Sequence, residues 1–391
     1  MNNISVIIPT MGLNESFKEI LSSLLNQSKI PNEVIVVDSS DDDAIKNELL
    51  NYADLNFFYY HVGRMFPGEA RNFGISKATN NVIGLLDSKT VPTNDWISKG
   101  LEKLLNGQAD LIFGSTRYIP LNSFQKKLHA SMYGQVNYET TPGTVAFKDT
   151  IDSVGGFIEG VRTADDVEWR VRAKNRIGRK AQSSSGYNLT YKELANDLFS
   201  EIKRHFVYQL HTAFVNIQEE KKIVVFSIFL FMMTALVPFW NSIVGWENSS
   251  LYIPNITKSY FLVIFLLGIT SFLTIKVKKI TLNNYFTKWI GLTIVFMFSY
   301  SIYRWNGVVA GWSENSILFV PHLTKIYFSC IVVLGFLYRA LFVPITRGIE
   351  LNFLFPFRWI YVGLIGLLLD IAKVPGFLLG GIINFYTAFF K

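Results

Sequence analysis

Cysteine is nearly absent from this chain of 391 residues, which contains only Cys330. A single thiol excludes an intrachain disulfide and any zinc or iron–sulfur centre built on several cysteines. Charged residues are also scarce, at 17% of the chain, where a soluble protein typically has about a quarter. Half of the residues are apolar, so the composition excludes intrinsic disorder and argues against an ordinary soluble protein.

A positive charge excess is missing from the first part of the chain. Residues 1–222 carry 25 Lys and Arg against 26 Asp and Glu (net −1), whereas residues 223–391 carry 12 against 4 (net +8). A nucleic-acid-binding protein would show a basic patch on its polar domain, so no nucleic-acid partner is expected. The first ten residues also lack the basic segment and long apolar core of a secretion signal, which predicts a cytosolic N-terminal domain.

Short apolar runs alternate with helical periodicity over the first third of the chain. The runs cover residues 4–9, 33–38, 56–62, 82–87 and 109–114, and the helical segments cover residues 16–26, 69–78 and 96–105. This alternation predicts an α/β domain with a mostly parallel sheet covered on both faces. Ligands of such sheets bind at the carboxyl ends of the strands, where Asp38 and Asp87 fall.

Long apolar runs follow in the second part of the chain, and a membrane span needs about 20 such residues. The runs are residues 223–240, 260–275, 289–303, 323–343, 351–371 and 374–390, with a tight turn predicted at 373–376. The proposed inner loops hold six Lys and Arg and the outer loops two, as expected for cytosolic loops. The pattern predicts an all-α transmembrane domain of about six segments, and hence an integral, multi-pass protein of a prokaryotic cell membrane.

Between these parts, apolar residues recur every four positions from Leu194 to Phe214, beside Lys203 and Arg204. This pattern predicts amphipathic helices lying on the bilayer, and a helix packed on the first domain is the alternative. The resulting division is a cytosolic domain at 1–186, interfacial helices at 187–222 and the transmembrane domain at 223–391.

Three polar segments of the α/β part carry candidate functional residues, each with an ordinary structural explanation. Asp38 ends a strand, where it can accept hydrogen bonds from a nucleotide or cap a helix. Arg71, at the start of a helix, suits a phosphate or is a surface arginine. Asp87 and Lys89 end another strand, where they can hold a metal or a diphosphate, or form a turn.

A fourth segment is the acidic pair Asp165 and Asp166, which follows a glycine turn at residues 155–156. Acids at a helix start complement the helix dipole, and their spacing alone favours that explanation. If they face a cleft instead, one of them can act as a general base.

Together the segments resemble the family 2 inverting glycosyltransferases, whose catalytic domain has a GT-A, Rossmann-like fold. The resemblance covers about residues 3–180 and is carried by SVIIPT, VIVVDSS, GEARNFGISKA, LLDSKTVPTNDWI and GGF…DDVEWRVR. It implies that Asp38 holds the base or ribose of a nucleotide-sugar donor, with Pro9 and Thr10 lining the same pocket. It also implies that Arg71 approaches the diphosphate.

The same resemblance assigns the acids. Asp87 matches the first acid of the family's DxD motif, Asp166 the acid that deprotonates the acceptor hydroxyl, and Asp165 its companion. Lys89 stands where the second DxD acid normally ligates a divalent metal, Mg²⁺ or Mn²⁺. We therefore expect Lys89 to supply positive charge beside the diphosphate, with a metal at Asp87 as the alternative. The family's QxxRW motif is absent, which argues against a processive synthase.

These observations predict a membrane glycosyltransferase that moves a sugar from a nucleotide sugar to a lipid-linked acceptor at the cytosolic leaflet, with inversion. The alternatives are a polyprenyl-phosphate glycosyl synthase and a non-catalytic membrane scaffold with a decayed sugar-nucleotide site. Because a phosphate acceptor is already ionised near neutral pH, the acidic pair favours a hydroxyl acceptor.

Overall fold

The computed structural model describes residues 3–215, 240–278 and 285–390. The chain divides into two compact units, which we call unit 1 (Met1–Ile217 with Phe336–Lys391) and unit 2 (Gln218–Gly335). Unit 1 is therefore discontinuous in sequence, and unit 2 is inserted into it.

Unit 1 is built on one mixed sheet, to which the described residues contribute nine strands. The strands are β1 (Ile4–Thr10), β2 (Glu33–Asp38), β3 (Phe57–His61), β4 (Val82–Leu85), β5 (Thr90–Pro92), β6 (Leu111–Tyr118), β7 (Tyr138–Phe147), β8 (Ala181–Ser183) and β9 (Leu189–Tyr191). Their order is β3-β2-β1-β4-β7-β6-β9-β5, with β8 beside β6. Strands β1 to β4 pair in parallel, whereas β7 is antiparallel to β4 and β6. The carboxyl ends of the first four strands thus share one edge, as the sequence predicts.

Helices cover both faces of this sheet. Those before residue 216 are α1 (Glu15–Leu25), α2 (Ala44–Leu49), α3 (Pro67–Lys77), α4 (Trp96–Leu105), α5 (Ser123–Met132), α6 (Lys148–Val154), α7 (Asp165–Ile177) and α8 (Leu198–Thr212). Alternate side chains of β1 serve different cores: Val6 packs with α1 and α4, and Ile7 with α3 and α7. Burial on both faces explains the continuous apolar runs of these strands.

Helix α3 lies close to its neighbours because it carries two glycines. A Cβ atom on Gly74 would lie 2.4 Å from Ile7 Cγ2, and one on Gly68 would lie 2.7 Å from the backbone oxygen of Ile158. A Cβ atom at either position would clash with these neighbours. The close approach of α3 to Ile7 and Ile158 is therefore possible because both residues are glycines. Arg71, between them, is only 3% exposed.

The described part of unit 2 is helical. Its elements are α9 (Trp240–Val244), α10 (Ile256–Lys278), α11 (Tyr285–Val308) and the larger part of α12 (Leu323–Leu337). Helices α10 and α11 pack against each other, with the rings of Phe265 and Phe298 stacked at a centroid distance of 5.2 Å. A Cβ on Gly268 would lie 2.4 Å from the Phe298 ring, so this glycine allows the close packing.

After α12 the chain returns to unit 1. A π-helical turn (Tyr338–Phe342) leads to α13 (Val343–Thr346), α14 (Leu351–Leu354) and α15 (Arg358–Phe390). The turn predicted at 373–376 is wrong, because α15 is a single helix of 33 residues that continues through Pro375. It packs along α8 and α5, and a Cβ on Gly376 would lie 2.4 Å from the backbone oxygen of Phe206.

Among the residues described, no helix combines the length and the apolar character that a membrane crossing requires. This finding overturns two predictions, the all-α transmembrane domain of about six segments and the integral, multi-pass location. For α15 the physical reason is visible: Ile365 and Leu369 pack with Leu128 of α5, and Asp370 forms ion pairs with Arg339 and Lys373. The first proposed span, 223–240, lies outside the described residues except for its last residue, and the boundaries at 186 and 222 stay predictions.

Replacing Gly74 tests the close approach of α3. We expect Gly74→Val to lower the free energy of unfolding of unit 1 by at least about 2 kcal/mol, because the added methyl groups overpack the contact with Ile7. Ser76→Val is a matched control on the exposed side of the same helix, and should cost less than about 1 kcal/mol. Urea unfolding followed by the fluorescence of the buried Trp96 and Trp169 measures both. A Gly74→Val protein as stable as the control would contradict the packing described.

Candidate active site

The polar residues singled out in the sequence gather at the carboxyl ends of β1, β2 and β4. Thr10 and Asp38 are directly paired in the register of β1 and β2, and Pro9 lies opposite Val37. Thr10 is 5% exposed and Asp38 is fully buried. The structure thus brings the three proposed nucleotide-pocket residues together at one sheet edge.

The Asp38 carboxylate already accepts hydrogen bonds from other groups of the protein. Oδ1 accepts hydrogen bonds from the Ser40 backbone N–H at 2.9 Å and from the Ser40 hydroxyl at 2.6 Å, and Oδ2 accepts from the Tyr59 hydroxyl at 2.9 Å. Burial and the bond to Asp38 raise the pKa of Tyr59 to about 12. Asp38 therefore holds the turn after β2, and its carboxylate already accepts three of the roughly four hydrogen bonds that it can take. Its role towards the base or ribose stays a prediction.

Arg71 joins two acids that are far apart in sequence. Its Nη2 donates to Asp87 Oδ1 at 2.6 Å, and its Nη1 donates to Asp165 Oδ2 at 2.7 Å. The guanidinium also lies 5.3 Å from the centre of the Phe157 ring. We call this arrangement the Arg71 bridge. It fixes the end of β4 to the start of α7, so that Asp87 and the Asp165–Asp166 pair belong to one site.

The Arg71 bridge and its surroundings contain more carboxylates than positively charged groups. Burial raises the pKa of Asp165 to about 6; Asp166 and Asp87 act in the same direction, and Arg71 opposes them. Burial disfavours the charge of Arg71, but Asp87 and Asp165 outweigh it and raise the Arg71 pKa. One guanidinium thus serves several carboxylates.

The two adjacent acids differ in their surroundings. Asp165 is 3% exposed, whereas Asp166 is only half-buried. The residue before them, Ala164, has a φ of 73°, a conformation that is unfavourable for alanine and turns the chain sharply into α7. The backbone oxygen of Asp166 accepts a hydrogen bond from the Thr141 hydroxyl at 3.0 Å. The structure thus leaves Asp166 the more accessible of the pair.

Lys89 is held by an acid that the sequence reasoning missed. Its Nζ lies 2.7 Å from Glu193 Oε2, and the Lys89 side chain is 49% exposed. Glu193 follows β9, which pairs antiparallel with β5, the strand just after Lys89. Such a pairing between distant strands leaves no signal in the local sequence, so Glu193 could not be anticipated.

Two residues of the GEARN motif also have roles that were missed. Asn72 Oδ1 accepts from the Phe157 backbone N–H at 2.7 Å, and its Nδ2 donates to the Phe157 oxygen at 2.9 Å. Glu69 Oε1 accepts from the Gly160 N–H at 2.8 Å. The first turns of α3 therefore hold the segment that leads to Asp165. In the sequence, these roles of Asn72 and Glu69 were indicated by their position in the same motif as Arg71.

Few side chains at this site could ligate a divalent metal. Within the described part of the chain, no group of three or more His, Cys, Asp and Glu side chains is arranged to hold a metal ion. The Asp87 side chain is 36% exposed, and Lys89 occupies the position of the second acid. A single carboxylate fits Mg²⁺ when substrate phosphates and water supply the other ligands. These residues thus fit a metal that arrives with a diphosphate and is held at Asp87.

Several known proteins are similar to this chain. Residues 5–166 match the family described as Glycosyl transferase family 2. Glycosyltransferase AglE of Haloferax volcanii is 24% identical over 205 residues, which cover 48% of this chain and 64% of that protein. The pre-mycofactocin glycosyltransferase of Mycobacterium tuberculosis is 25% identical over 192 residues, which cover 43% of this chain and 39% of that protein. The chain thus spans less than two thirds of the length of each relative.

Among solved structures, a mannosyltransferase of Pyrobaculum calidifontis in complex with GDP-Man and Mn²⁺ aligns with a TM-score of 0.46 and 13% identity, over 96% of this chain and 87% of that one. The family match and the relatives named as glycosyltransferases confirm the enzyme class that the motifs predicted. Residues 5–166 are thus similar to the Glycosyl transferase family 2 domain, and the relatives that match this chain are named as glycosyltransferases.

Proposed function

We propose that unit 1 transfers a sugar from a nucleotide-sugar donor to an acceptor hydroxyl with inversion of configuration. The observation that carries the proposal is the Arg71 bridge, which brings Asp87 to the same site as a half-buried Asp166. A lipid-linked or polyprenyl-phosphate acceptor remains a prediction from the sequence. Because the transmembrane domain is overturned, the proposal places no step at a membrane.

In the proposed reaction, Asp166 accepts the proton of the acceptor hydroxyl. The acceptor oxygen then forms a bond to the anomeric carbon from the face opposite the nucleotide. The bond between that carbon and the diphosphate oxygen breaks, and its electron pair leaves with the diphosphate. Attack and departure on opposite faces invert the configuration, and general-base assistance makes the hydroxyl nucleophilic.

Arg71 acts on this chemistry by positioning the acids. Both of its terminal nitrogens are bonded to carboxylates, so we propose that it orients Asp87 and Asp165, and its approach to the diphosphate stays a prediction from the sequence. Asp165, ionised above pH about 6, completes the bridge. Each terminal nitrogen keeps a second N–H, through which Arg71 could also contact the diphosphate.

The diphosphate leaves with negative charge that needs a partner. Lys89 lies two residues from Asp87 and can supply an ammonium if it is released from Glu193. A divalent metal at Asp87 would supply the same charge and orient the diphosphate. We propose that the Lys89–Glu193 pair decides how strongly the enzyme depends on a metal.

Removal of the proposed base is the most direct test of the function. Asp166→Asn should bind the donor normally but lose roughly 10²–10⁴-fold in transfer, because an amide cannot accept the proton. Asp152→Asn makes the same change at an exposed site on α6 and should keep full activity. Donor binding is measured by calorimetry, and transfer with a panel of radiolabelled nucleotide sugars. An Asp166→Asn enzyme with more than about half of the wild-type turnover would exclude Asp166 as the base.

Lys89 is tested by combining substitution with chelation. If its ammonium partly replaces a metal, EDTA should weaken donor binding only in part, and Lys89→Ala should make the remaining binding more metal-dependent. Lys99→Ala is the control, because Lys99 also pairs with an acid, Asp95, on an exposed surface. Calorimetry of donor binding with and without EDTA gives the comparison. Complete loss of wild-type binding in EDTA, with Lys89→Ala matching the wild type when metal is present, would refute charge substitution.

The state of Asp165 predicts a pH dependence. Below pH about 6 its carboxyl takes up a proton and loses the charged contact with Arg71, so kcat/KM should fall as the pH drops through about 6. The side chain of Asp165→Asn cannot take up a proton. This variant should have a lower kcat/KM than the wild type, and its fall in kcat/KM at acid pH (the acid limb of the profile) should move to a different pH. Profiles between about pH 5 and pH 8 for the wild type, Asp165→Asn and the Asp152→Asn control test this expectation. An unmoved acid limb in Asp165→Asn would assign the limb to another group.

A further inference from the structure

Four tyrosine rings pack together where β6, β7, β9 and the end of α5 meet. We call Tyr118, Tyr133, Tyr138 and Tyr191 the tyrosine cluster. The Tyr118 and Tyr133 rings stack with centroids 4.0 Å apart and an angle of 19°, and the Tyr138 and Tyr191 rings lie 5.7 and 5.3 Å from Tyr118. The four rings stay half-buried, so the cluster reaches the surface of unit 1.

Helix α8 adds an arginine and a fifth tyrosine to this surface. Arg204 Nη2 donates to the Tyr133 hydroxyl at 3.1 Å, and the Arg204 guanidinium lies 6.0 Å from the centre of the Tyr208 ring. Tyr208 remains 44% exposed. Its ring is therefore an accessible aromatic surface next to the tyrosine cluster.

The same surface lies beside the proposed base. Burial raises the pKa of Tyr118 to about 12, Arg204 opposes this shift, and the Asp166 carboxylate adds to it. The backbone oxygen of Tyr208 also accepts a hydrogen bond at 3.2 Å from the hydroxyl of Thr163, in the segment that leads into Asp165. The backbone of Tyr208 is thus bonded to Thr163, three residues before Asp166, and Tyr118 lies within electrostatic range of the Asp166 carboxylate.

We propose that the exposed face of Tyr208, together with the edge of the tyrosine cluster, is the acceptor subsite and that it takes a neutral sugar ring. This inference rests on the proposed function and names its acceptor class. The C–H face of a pyranose ring is apolar and stacks on an aromatic ring, while tyrosine hydroxyls bond to sugar hydroxyls. An acceptor held on Tyr208 would present a hydroxyl towards Asp166.

The charges at the surface favour a neutral acceptor over a phosphate. Arg204 is neutralised by Glu201, which is fully buried and lies 2.6 Å away. Burial lowers the pKa of His205, which therefore adds no charge near neutral pH. On the Tyr138 side, Arg347 keeps its positive charge, but its guanidinium is held by a hydrogen bond to the backbone oxygen of Met132. The negative charge of Asp166 would repel a phosphate, but it would not repel a neutral sugar hydroxyl.

The test compares acceptor kinetics in the full chain. The acceptor probes are neutral p-nitrophenyl glycosides and, as the anionic comparison, farnesyl phosphate in detergent. The donor is a radiolabelled nucleotide sugar that the wild type hydrolyses slowly without acceptor. Tyr208→Ala should raise the KM for the glycoside roughly tenfold or more by removing the stacking surface. Phe199→Ala, the matched control, removes an exposed aromatic ring from the other end of α8 and should stay within about twofold of the wild type.

Donor hydrolysis separates failure of this inference from failure of the proposed function. Wild type that hydrolyses no nucleotide sugar would count against the function itself. If hydrolysis is intact, transfer to neutral glycosides with an acceptor KM raised in Tyr208→Ala alone supports the subsite. Transfer to farnesyl phosphate only, no transfer to any neutral glycoside, or an unchanged KM in Tyr208→Ala overturns it.

Discussion

The catalytic unit depends on the bridge that Arg71 makes between Asp87 and Asp165. A buried guanidinium without partners would be costly, and so would a buried carboxylate at Asp165, so each is retained only in the presence of the other. This mutual requirement fixes the position of α7 against the end of β4. The two glycines of α3 and the bonds of Asn72 and Glu69 to the 157–160 segment support the same geometry. The geometry of the site thus depends on the buried guanidinium of Arg71, which its neighbours hold in one position.

Around this cation the acids have separate tasks. Asp38 is used within its own turn, Asp165 is buried against Arg71, and Asp166 remains accessible. Lys89 and Arg204 lie elsewhere around the site, each paired with a glutamate. Because each of these cations is already paired with an acid, a diphosphate would compete with Glu193 or Glu201 for them.

Much of the α/β unit could be predicted, because its determinants are local. The strand runs and their terminal acids placed Thr10, Asp38 and Asp87 correctly at one sheet edge. The ion pair of Lys89 with Glu193 and the contact of Arg71 with Asp165 depend on distant segments and left no periodic signal. The apolar second part misled the prediction because burial against protein and burial in lipid need the same side chains; α15 uses Ile365 and Leu369 against α5. The continuous helix through Pro375 was missed because a Lys-Val-Pro-Gly sequence is typical of turns.

The placement of α15 bears on how the protein is made. Its glycines at 376 and 380 lie against the backbone oxygens of Phe206 and Leu210, so α8 is covered by a helix that is translated well after it. Most of the sheet can fold with α1 to α4, α6 and α7 as they emerge from the ribosome, whereas α5 and α8 both pack against α15. The exposed flank of α8 must wait for about 150 further residues, an interval of roughly ten to thirty seconds at ordinary translation rates. During that interval the nascent chain presents an unpaired apolar stripe, a natural target for a chaperone.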